Sequence, residues 1–492
     1  MKNKKPNIIF FNPDHYRTDV LGHMGNAGAV TPNLDRMVAE DAVSFRNNFC
    51  QAGVCTPSRC SFMSGLYPHT RGYRTMFHML QAHDPMLLRE LKDAGYFVWW
   101  GGKNDVVPAQ NGFDAYCDVK YTDPKPKQRD FHSDQTWRGD PEDDTFYSFF
   151  KGKIDVPEGE EFYDSDWSNV LGAIEQLKNL PDDDRPFCIH LPLMSPHPPL
   201  AVEEPYFSMI DRDKVLPRIP EPEDWSGKAS MLKGICENRR LASWSDERWT
   251  ELRAVMYGMC ARLDAQFGMI IKTLKEIGEY DNTAIFFYSD HGAYVGDYGI
   301  VDLSQNTFED VLTKVPFIVK PPKNVAVKPG VRNCLTEMID FKATVEDICG
   351  IKSTHSQFGE SLLPIIAGEK NKLRDAVFCE GGRLHGERHC AELEYKSGHT
   401  DPNDMYYPRL ILQASEGPEH TKAAMCRTEK YKYVKRLYEQ DEFYDLEKDP
   451  QELKNEINNA DYTDEIIKLK ERTLQWYMET CDIVEFESDE RI

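Results

Sequence analysis

The feature that most narrows the fold of this chain is a set of short, unbroken apolar stretches. Each ends in polar, loop-forming residues: Asn7–Phe11 (NIIFF), Phe187–Leu193 (FCIHLPL), Ala284–Ser289 (AIFFYS) and Val315–Lys320 (VPFIVK). They are too short for buried helices and rich in β-branched and aromatic residues, so they read as strands. A strand apolar on both sides must be covered on both faces, which is the condition of a parallel sheet between two layers of helix. Helical patterns fall where such a sheet needs them. Thr31 and Pro32 cap and open one helix, and residues 87–94 form an amphipathic one ended by Gly95, before a further strand at Phe97–Trp100. Residues 168–180 form another, as do residues 340–350. Trp249–Ile277 sets Leu252, Val255, Met256, Met259, Leu263, Phe267 and Ile270 on one face ahead of Gly278.

Strand and helix alternate to about residue 370, and the texture then changes to short strands (376–380 and 431–436) and a late helix over 463–480. The expected organisation is an α/β domain over residues 1–371 and a smaller α+β portion over 372–492, with a small antiparallel sheet and a terminal helix. Residues 105–160 and 200–245 lack steady periodicity. The first of these is expected to be an insertion that shapes a substrate mouth. At 492 residues and 40% hydrophobic content, the chain has ample material for a large core.

A net charge of −23 argues against nucleic acid or an anionic membrane as partner, so an anionic substrate would need local cations or a metal. The opening MKNKKPNIIFF has a basic start but a short apolar run, interrupted at Asn12-Pro13-Asp14, and is read as a first strand, not a signal peptide. No apolar run reaches the ~18 residues of a membrane span. Thirteen cysteines without a paired framework fit a reducing compartment, and a cytoplasmic location is expected.

Loops at strand ends carry the chemistry. Asp14 and His15 follow the first strand, and Asp290-His291-Gly292 follow a later one, at the sheet edge where open α/β folds place their sites. Hard oxygens with an imidazole suit Ca²⁺, Mg²⁺ or Mn²⁺. The third element is Cys50–Gly72, centred on Cys55-Thr56-Pro57-Ser58-Arg59. Pro57 is expected to turn the chain sharply after Cys55, letting the Arg59 fork return to the same point, where it would suit a tetrahedral oxyanion. The spacing of Cys50, Cys55 and Cys60 matches no familiar zinc site, and a tyrosine-phosphatase loop would need arginine where Ser61 stands. Buried, inert thiols are the alternative for these cysteines.

Cys55–Arg59 resembles the C-x-P-x-R signature of the type I sulfatases, within the alkaline phosphatase superfamily. The resemblance extends to Ser61–His69 (SFMSGLYPH), Thr31–Arg36 (TPNLDR) and Glu442–Glu452 (EFYDLEKDPQE), and so covers most of the chain. It implies an alkaline-phosphatase-like, mostly parallel sheet and a formylglycine made from Cys55 by a maturation enzyme. One hydroxyl of the aldehyde hydrate would attack sulfur, and the other would then expel sulfate. It implies that Arg59 steadies the hydrate, that Lys103 holds a sulfate oxygen, and that His197 contacts sulfate or protonates the leaving group. Asp14, His15, Asp290 and His291 would be the ligands of a divalent metal, Ca²⁺ first and Mg²⁺ or Mn²⁺ as alternatives. The chain departs from the family pattern in two places. Asp105 stands where a histidine is usual, and Leu303-Ser304-Gln305 holds no lysine; Gln305, Asn306, His385 and His389 are candidates to compensate. The function implied is hydrolysis of a small sulfate monoester (aryl, steroid, sugar or choline), with a phosphonate monoester or phosphodiester hydrolase as first rival and a non-catalytic binding protein as second. The expected partners are the sulfated substrate and the maturation enzyme, with no nucleic acid or membrane, and self-association into a homo-oligomer remains open.

Overall fold

The computed structural model describes residues 5–124, 135–392, 401–488 and 491. The basic start at residues 1–4 and part of the 105–160 stretch, residues 125–134, lie outside the described residues. The strands, in chain order, are β1 (Asn7–Asn12), β2 (Val43–Phe49), β3 (Phe97–Trp100), β4 (Val119–Lys120), β5 (Phe150–Lys153), β6 (Phe187–Pro192) and β7 (Leu200–Val202). They continue as β8 (Thr283–Tyr288), β9 (Phe317–Lys320), β10 (Gly330–Glu337), β11 (Val377–Gly381), β12 (Ala423–Arg427), β13 (Tyr431–Arg436) and β14 (Glu442–Asp445). Eight of them form one sheet in the order β10-β2-β9-β8-β1-β6-β3-β4. All its pairings are parallel except those of β9, which runs antiparallel to both β8 and β2. β5 and β7 pair separately.

The apolar runs are continuous because both faces are covered. From β1, Ile9 and Phe11 enter a core built with the helices Pro32–Glu40, Ser165–Lys178 and Asp246–Glu276, while Ile8 and Phe10 enter the opposite core with Cys55–Ser64, Leu87–Asp93 and Asp340–Cys349. β8 divides the same way, with Ile285 and Phe287 on one side and Phe286 and Tyr288 on the other. Thus the α/β architecture expected from the runs is the one observed. The sequence reading passed over β2, β10 and the helix Ser230–Arg239, which falls inside the stretch read as irregular.

Beyond residue 372 a separate antiparallel meander, β11-β12-β13-β14, carries the terminal helix Thr463–Thr480 on one face. Trp476 is the pin between them. It stacks on Phe378 at 4.7 Å and meets Tyr67 edge-on at 5.0 Å. The Tyr67-Pro68-His69 run therefore serves to dock this portion: the backbone N–H of His69 donates to Glu380 (2.9 Å), and its Nε2 lies 2.9 Å from the Thr480 hydroxyl. The Glu442–Glu452 run lies at the same seam. Buried Lys228 donates to the Tyr444 hydroxyl (2.7 Å), the Glu452 carbonyl (2.8 Å) and Glu309 (3.1 Å). Among the described residues no helix is long and apolar enough to cross a membrane. Trp476→Ala should cost about 3–5 kcal/mol, the usual range for emptying a buried tryptophan site. The check is denaturant unfolding, with the loss appearing as an earlier midpoint.

Candidate active site

The sheet register brings the candidate residues together. Phe11 pairs with Phe287 across β1 and β8, so Asp14 and Asp290 stand equally far beyond the edge on neighbouring strands. On the other side of β1, Asn12 pairs with Pro192 of β6, whose exit loop carries His197. β3 follows, with Trp100 beside His190 and Lys103 in the next loop. These are the carboxyl ends of adjacent parallel strands.

The connecting turns are strained in a way that suits a site. His15 has φ 66°, a left-handed conformation that costs a residue bearing a Cβ roughly 1 kcal/mol or more. Its N–H reaches the Asp290 carboxylate (3.4 Å), and the next N–H, of Tyr16, donates to the Ser289 hydroxyl (2.9 Å), which itself donates to the Pro13 carbonyl (3.0 Å). Gly292 admits no side chain, because a Cβ there would lie 2.1 Å from the Val311 carbonyl oxygen. Its N–H donates to the Leu312 carbonyl at 2.7 Å.

Cys55 is not followed by the sharp turn expected from Pro57. It is the first residue of the helix Cys55–Ser64, and Pro57 sits in the first turn, where its missing N–H would have had no partner in any case. Arg59 is one turn on, so the helix itself brings its guanidinium back towards Cys55. Arg59 donates from Nε to Asp290 Oδ2 (2.8 Å) and from Nη1 to Asn12 Oδ1 (2.9 Å). Its Nη2 stands 3.5 Å from Asp14 and makes no hydrogen bond.

Around Cys55 the distances are short. Its Sγ lies 3.2 Å from His291 Nε2 and 3.6 Å from Asp14 Oδ1. Lys103 Nζ bridges Asp14 (2.5 Å) and Asp105 (2.8 Å). The rings of His197 and His291 each lie 4.4 Å from that of His15. Burial alone would raise the Asp14 carboxyl, but Lys103, His15 and Arg59 outweigh it and hold Asp14 well below the usual carboxylate range. Burial, then the neighbouring His197 and His291, push His15 well down, so it is a neutral imidazole. Burial, then the charge of Asp14, push the Cys55 thiol well up, leaving it a neutral thiol.

The donor set fits a divalent cation. One ligand atom each from Asp14, His15, Cys55 and His291 falls within 4.8 Å of the others. Both ring nitrogens of His15 are buried without a hydrogen-bond partner, and a bound cation would take the lone pair of one of them. Asp290 stands just behind this group. Its carboxylate is held by Arg59 and by backbone N–H groups, with Oδ2 3.8 Å from His291 Nε2. At the departures from the family pattern, Asp105 is an ion-pair partner of Lys103, and Gln305 is buried against Gln413 of the C-terminal portion. Asn306 donates to the Glu419 carbonyl (2.7 Å). His385 is stacked on Tyr438 at 4.1 Å, and the His389 ring lies 6.1 Å from that of His78. The sequence reading missed Asn12 as a partner of Arg59, Ser58, whose hydroxyl donates to the Asp290 carbonyl (2.6 Å), and the supports of the His197 loop. For Asn12 the signal was its place in Asn12-Pro13-Asp14, directly at the strand end.

Beside Lys103 lies a cavity of about 370 Å³ whose wall includes Gly102, Tyr121, Asp123, Ser168 and Asn169. Residues 121–123 of the expected insertion thus do line a space next to the site. A larger cavity, about 720 Å³, is walled by residues of 153–163 and 203–206 and contains none of the candidate residues.

Residues 6–351 match the Sulfatase family. The chain belongs to the sulfatase family. As a sulfatase it is a sulfuric ester hydrolase by class, and its relatives span nearly its whole length. An arylsulfatase of Clostridium perfringens is 26% identical over 95% of this chain and 93% of its own. A choline-sulfatase of Rhizobium meliloti is 25% identical over 100% and 91%. Among solved structures, the phosphonate monoester hydrolase of Agrobacterium radiobacter shares the fold, with a TM-score of 0.74 at 23% identity, covering 98% of this chain and 100% of its own. For this sulfatase, Asp14→Asn and Asp290→Asn are each expected to lower bound divalent metal at least tenfold in elemental analysis of purified protein. A full complement of metal in both variants would remove these residues from the metal centre.

Proposed function

We propose that the protein hydrolyses a sulfate monoester of a small organic alcohol or phenol, using formylglycine made from Cys55 and a divalent cation, Ca²⁺ first, held by Asp14, His15, Asp290 and His291. The observation that carries this reading is the convergence of Asp14, His15, Cys55 and His291 within 4.8 Å, with Lys103 on Asp14 and Arg59 on Asp290. When bound, the cation supplies positive charge against the ester oxygens and activates the nucleophile. The aldehyde, once water has added to it, would supply a hydroxyl nucleophile that a neutral, buried thiol does not.

The chain's own residues do the rest. Lys103 is fixed by two carboxylates, so its ammonium is placed without rotamer loss to meet an ester oxygen at the rim of the Asp14 cluster. Arg59 orients Asp290 through a 2.8 Å ion pair, and its spare Nη2 points at the same centre. The His197 ring commits Nδ1 to the Pro198 carbonyl (2.5 Å), so a proton it delivers passes through Nε2. That proton goes to the leaving oxygen as the S–O bond breaks, which is worth roughly 10²–10⁴-fold for a poor leaving group.

Cys55 is buried, with 3% of its surface exposed, at the start of a helix. A maturation enzyme therefore has to reach it before the chain folds, and the expected partner acts on the unfolded or nascent segment. We place the enzyme in the cytoplasm on its cysteine usage, all thirteen thiols being free. A second reading, phosphonate monoester or phosphodiester hydrolysis on the same scaffold, is favoured by Asp105 and by Gln305, which leave the leaving-group side one cation and one imidazole short.

Peptide mass spectrometry over residues 50–60, on protein co-expressed with a maturation enzyme, should show Cys55 about 18 Da lighter, as conversion of a thiol to an aldehyde requires. Turnover of 4-nitrophenyl sulfate should rise with that fraction and vanish in Cys55→Ser. Activity undiminished in Cys55→Ser would end the nucleophile assignment. Phosphonate turnover far above sulfate turnover would favour the second reading.

A further inference from the structure

We propose that Asp166, backed by Arg262, is a positioning residue for His197, and that it sets how well the enzyme handles poor leaving groups. This rests on the role given to His197 above. His197 stands on a loop with no secondary structure of its own, between β6 and β7. The structure shows what holds that loop. Asp166, 1% exposed on the helix Ser165–Lys178, accepts from two successive backbone N–H groups, Met194 (2.7 Å) and Ser195 (2.8 Å). The His197 N–H closes onto the Met194 carbonyl (2.9 Å), so the imidazole is one turn from the clamped pair. On the far side the Ser195 carbonyl accepts from the Asp14 N–H (3.2 Å). The clamp therefore spaces His197 against the Asp14 centre, and the His15–His197 ring separation of 4.4 Å is its result.

Arg262 completes the device. It comes from the long helix Asp246–Glu276, which packs on that face, and is itself 2% exposed. Its guanidinium donates to the Ser195 hydroxyl and to Asp164 (2.9 Å), reaches Glu203 (3.3 Å), and lies 3.7 Å from Asp166. A buried carboxylate that grips two N–H groups needs such a countercharge. Two helices thus fix a loop that its own backbone does not. A misplacement of about 1 Å in a reacting group costs on the order of 100-fold. It matters only where proton delivery is needed, since an activated phenolate departs without one.

The test compares 4-nitrophenyl sulfate with an alkyl sulfate in parent, Asp166→Asn, His197→Ala and the double variant, with metal content and formylglycine occupancy measured in each. Asp166→Asn keeps one acceptor and the volume. It should lose roughly 10- to 100-fold in kcat on the alkyl ester and less than about 3-fold on the aryl ester, with metal and aldehyde unchanged. His197→Ala should show the same split, and the double variant should be no worse than His197→Ala alone. Ser195→Ala, which removes only the hydroxyl held by Arg262, should show a smaller split in the same direction and serves if Asp166→Asn fails to fold. Equal losses on both esters, no loss on either, or losses that multiply in the double variant would overturn the positioning role while leaving His197 in place. A His197→Ala variant without the split would overturn the role of His197 and this inference with it. If the parent acts on phosphonate monoesters and not on sulfates, the sulfate reading falls, and the same comparison with aryl and alkyl phosphonate esters decides the clamp.

Discussion

The parallel pairing of β1 between β6 and β8 is the constraint on which the rest depends. Side chains beyond the ends of parallel neighbours emerge at one height, so a shared register turns residues far apart in sequence into one constellation. Asp14 and Asp290 are 276 positions apart, yet the Phe11–Phe287 pairing sets both three residues past the same rung. A slip of a single residue would move one carboxylate to the wrong side of the sheet and turn Phe11 or Phe287 out of its core. The apolar alternation of β1 and β8 into two separate cores therefore protects the register, and with it the site.

The strands that build this core were legible in the sequence because burial on both faces writes an unbroken apolar run. β2 was not, although it lies inside the sheet. It reads VSFRNNF, and its polar residues are accommodated locally. Buried Asn48 accepts from the Thr336 hydroxyl of β10 (3.0 Å), while Arg46 and Asn47 are only half-buried. A polar residue whose oxygen is paired across the strands, as that of Asn48 is, leaves no trace of its burial in a hydropathy pattern. The helix Ser230–Arg239 was hidden for a different reason. Its faces are set by distant partners: Met231, Leu232 and Ile235 pack with Tyr294, Tyr298 and Ile300, and on the side of the C-terminal portion the Leu412 side chain lies so near Gly234 that a Cβ there would sit 2.8 Å away.

The candidate residues were legible by type and by place at strand ends, but their coupling was not. That Arg59 serves Asp290 and Asn12, that Lys103 is shared by Asp14 and Asp105, and that Asp166 grips the His197 loop are all tertiary facts. Pro57 shows the limit of a local rule. Proline ends or turns a chain in most settings, but in the first turn of a helix it costs nothing, and which setting applies is decided by the sheet edge upon which the helix is laid.

Charge at the site closes the argument about its chemistry. Asp14, Asp290 and Asp105 face Arg59 and Lys103, and His15 is held neutral by burial and by its neighbouring imidazoles. Three carboxylates against two cations leave the centre negative, inside a chain of net charge −23. Such a centre repels an anionic ester, and the two cations are already committed to carboxylates. A divalent cation among Asp14, His15 and His291 would reverse the sign and would take the lone pair of one buried His15 nitrogen. The carboxylate at Asp105, which makes the centre more negative than an imidazole would, adds to the charge that a cation would have to offset, and with Asp14 it fixes Lys103 at the rim of the centre.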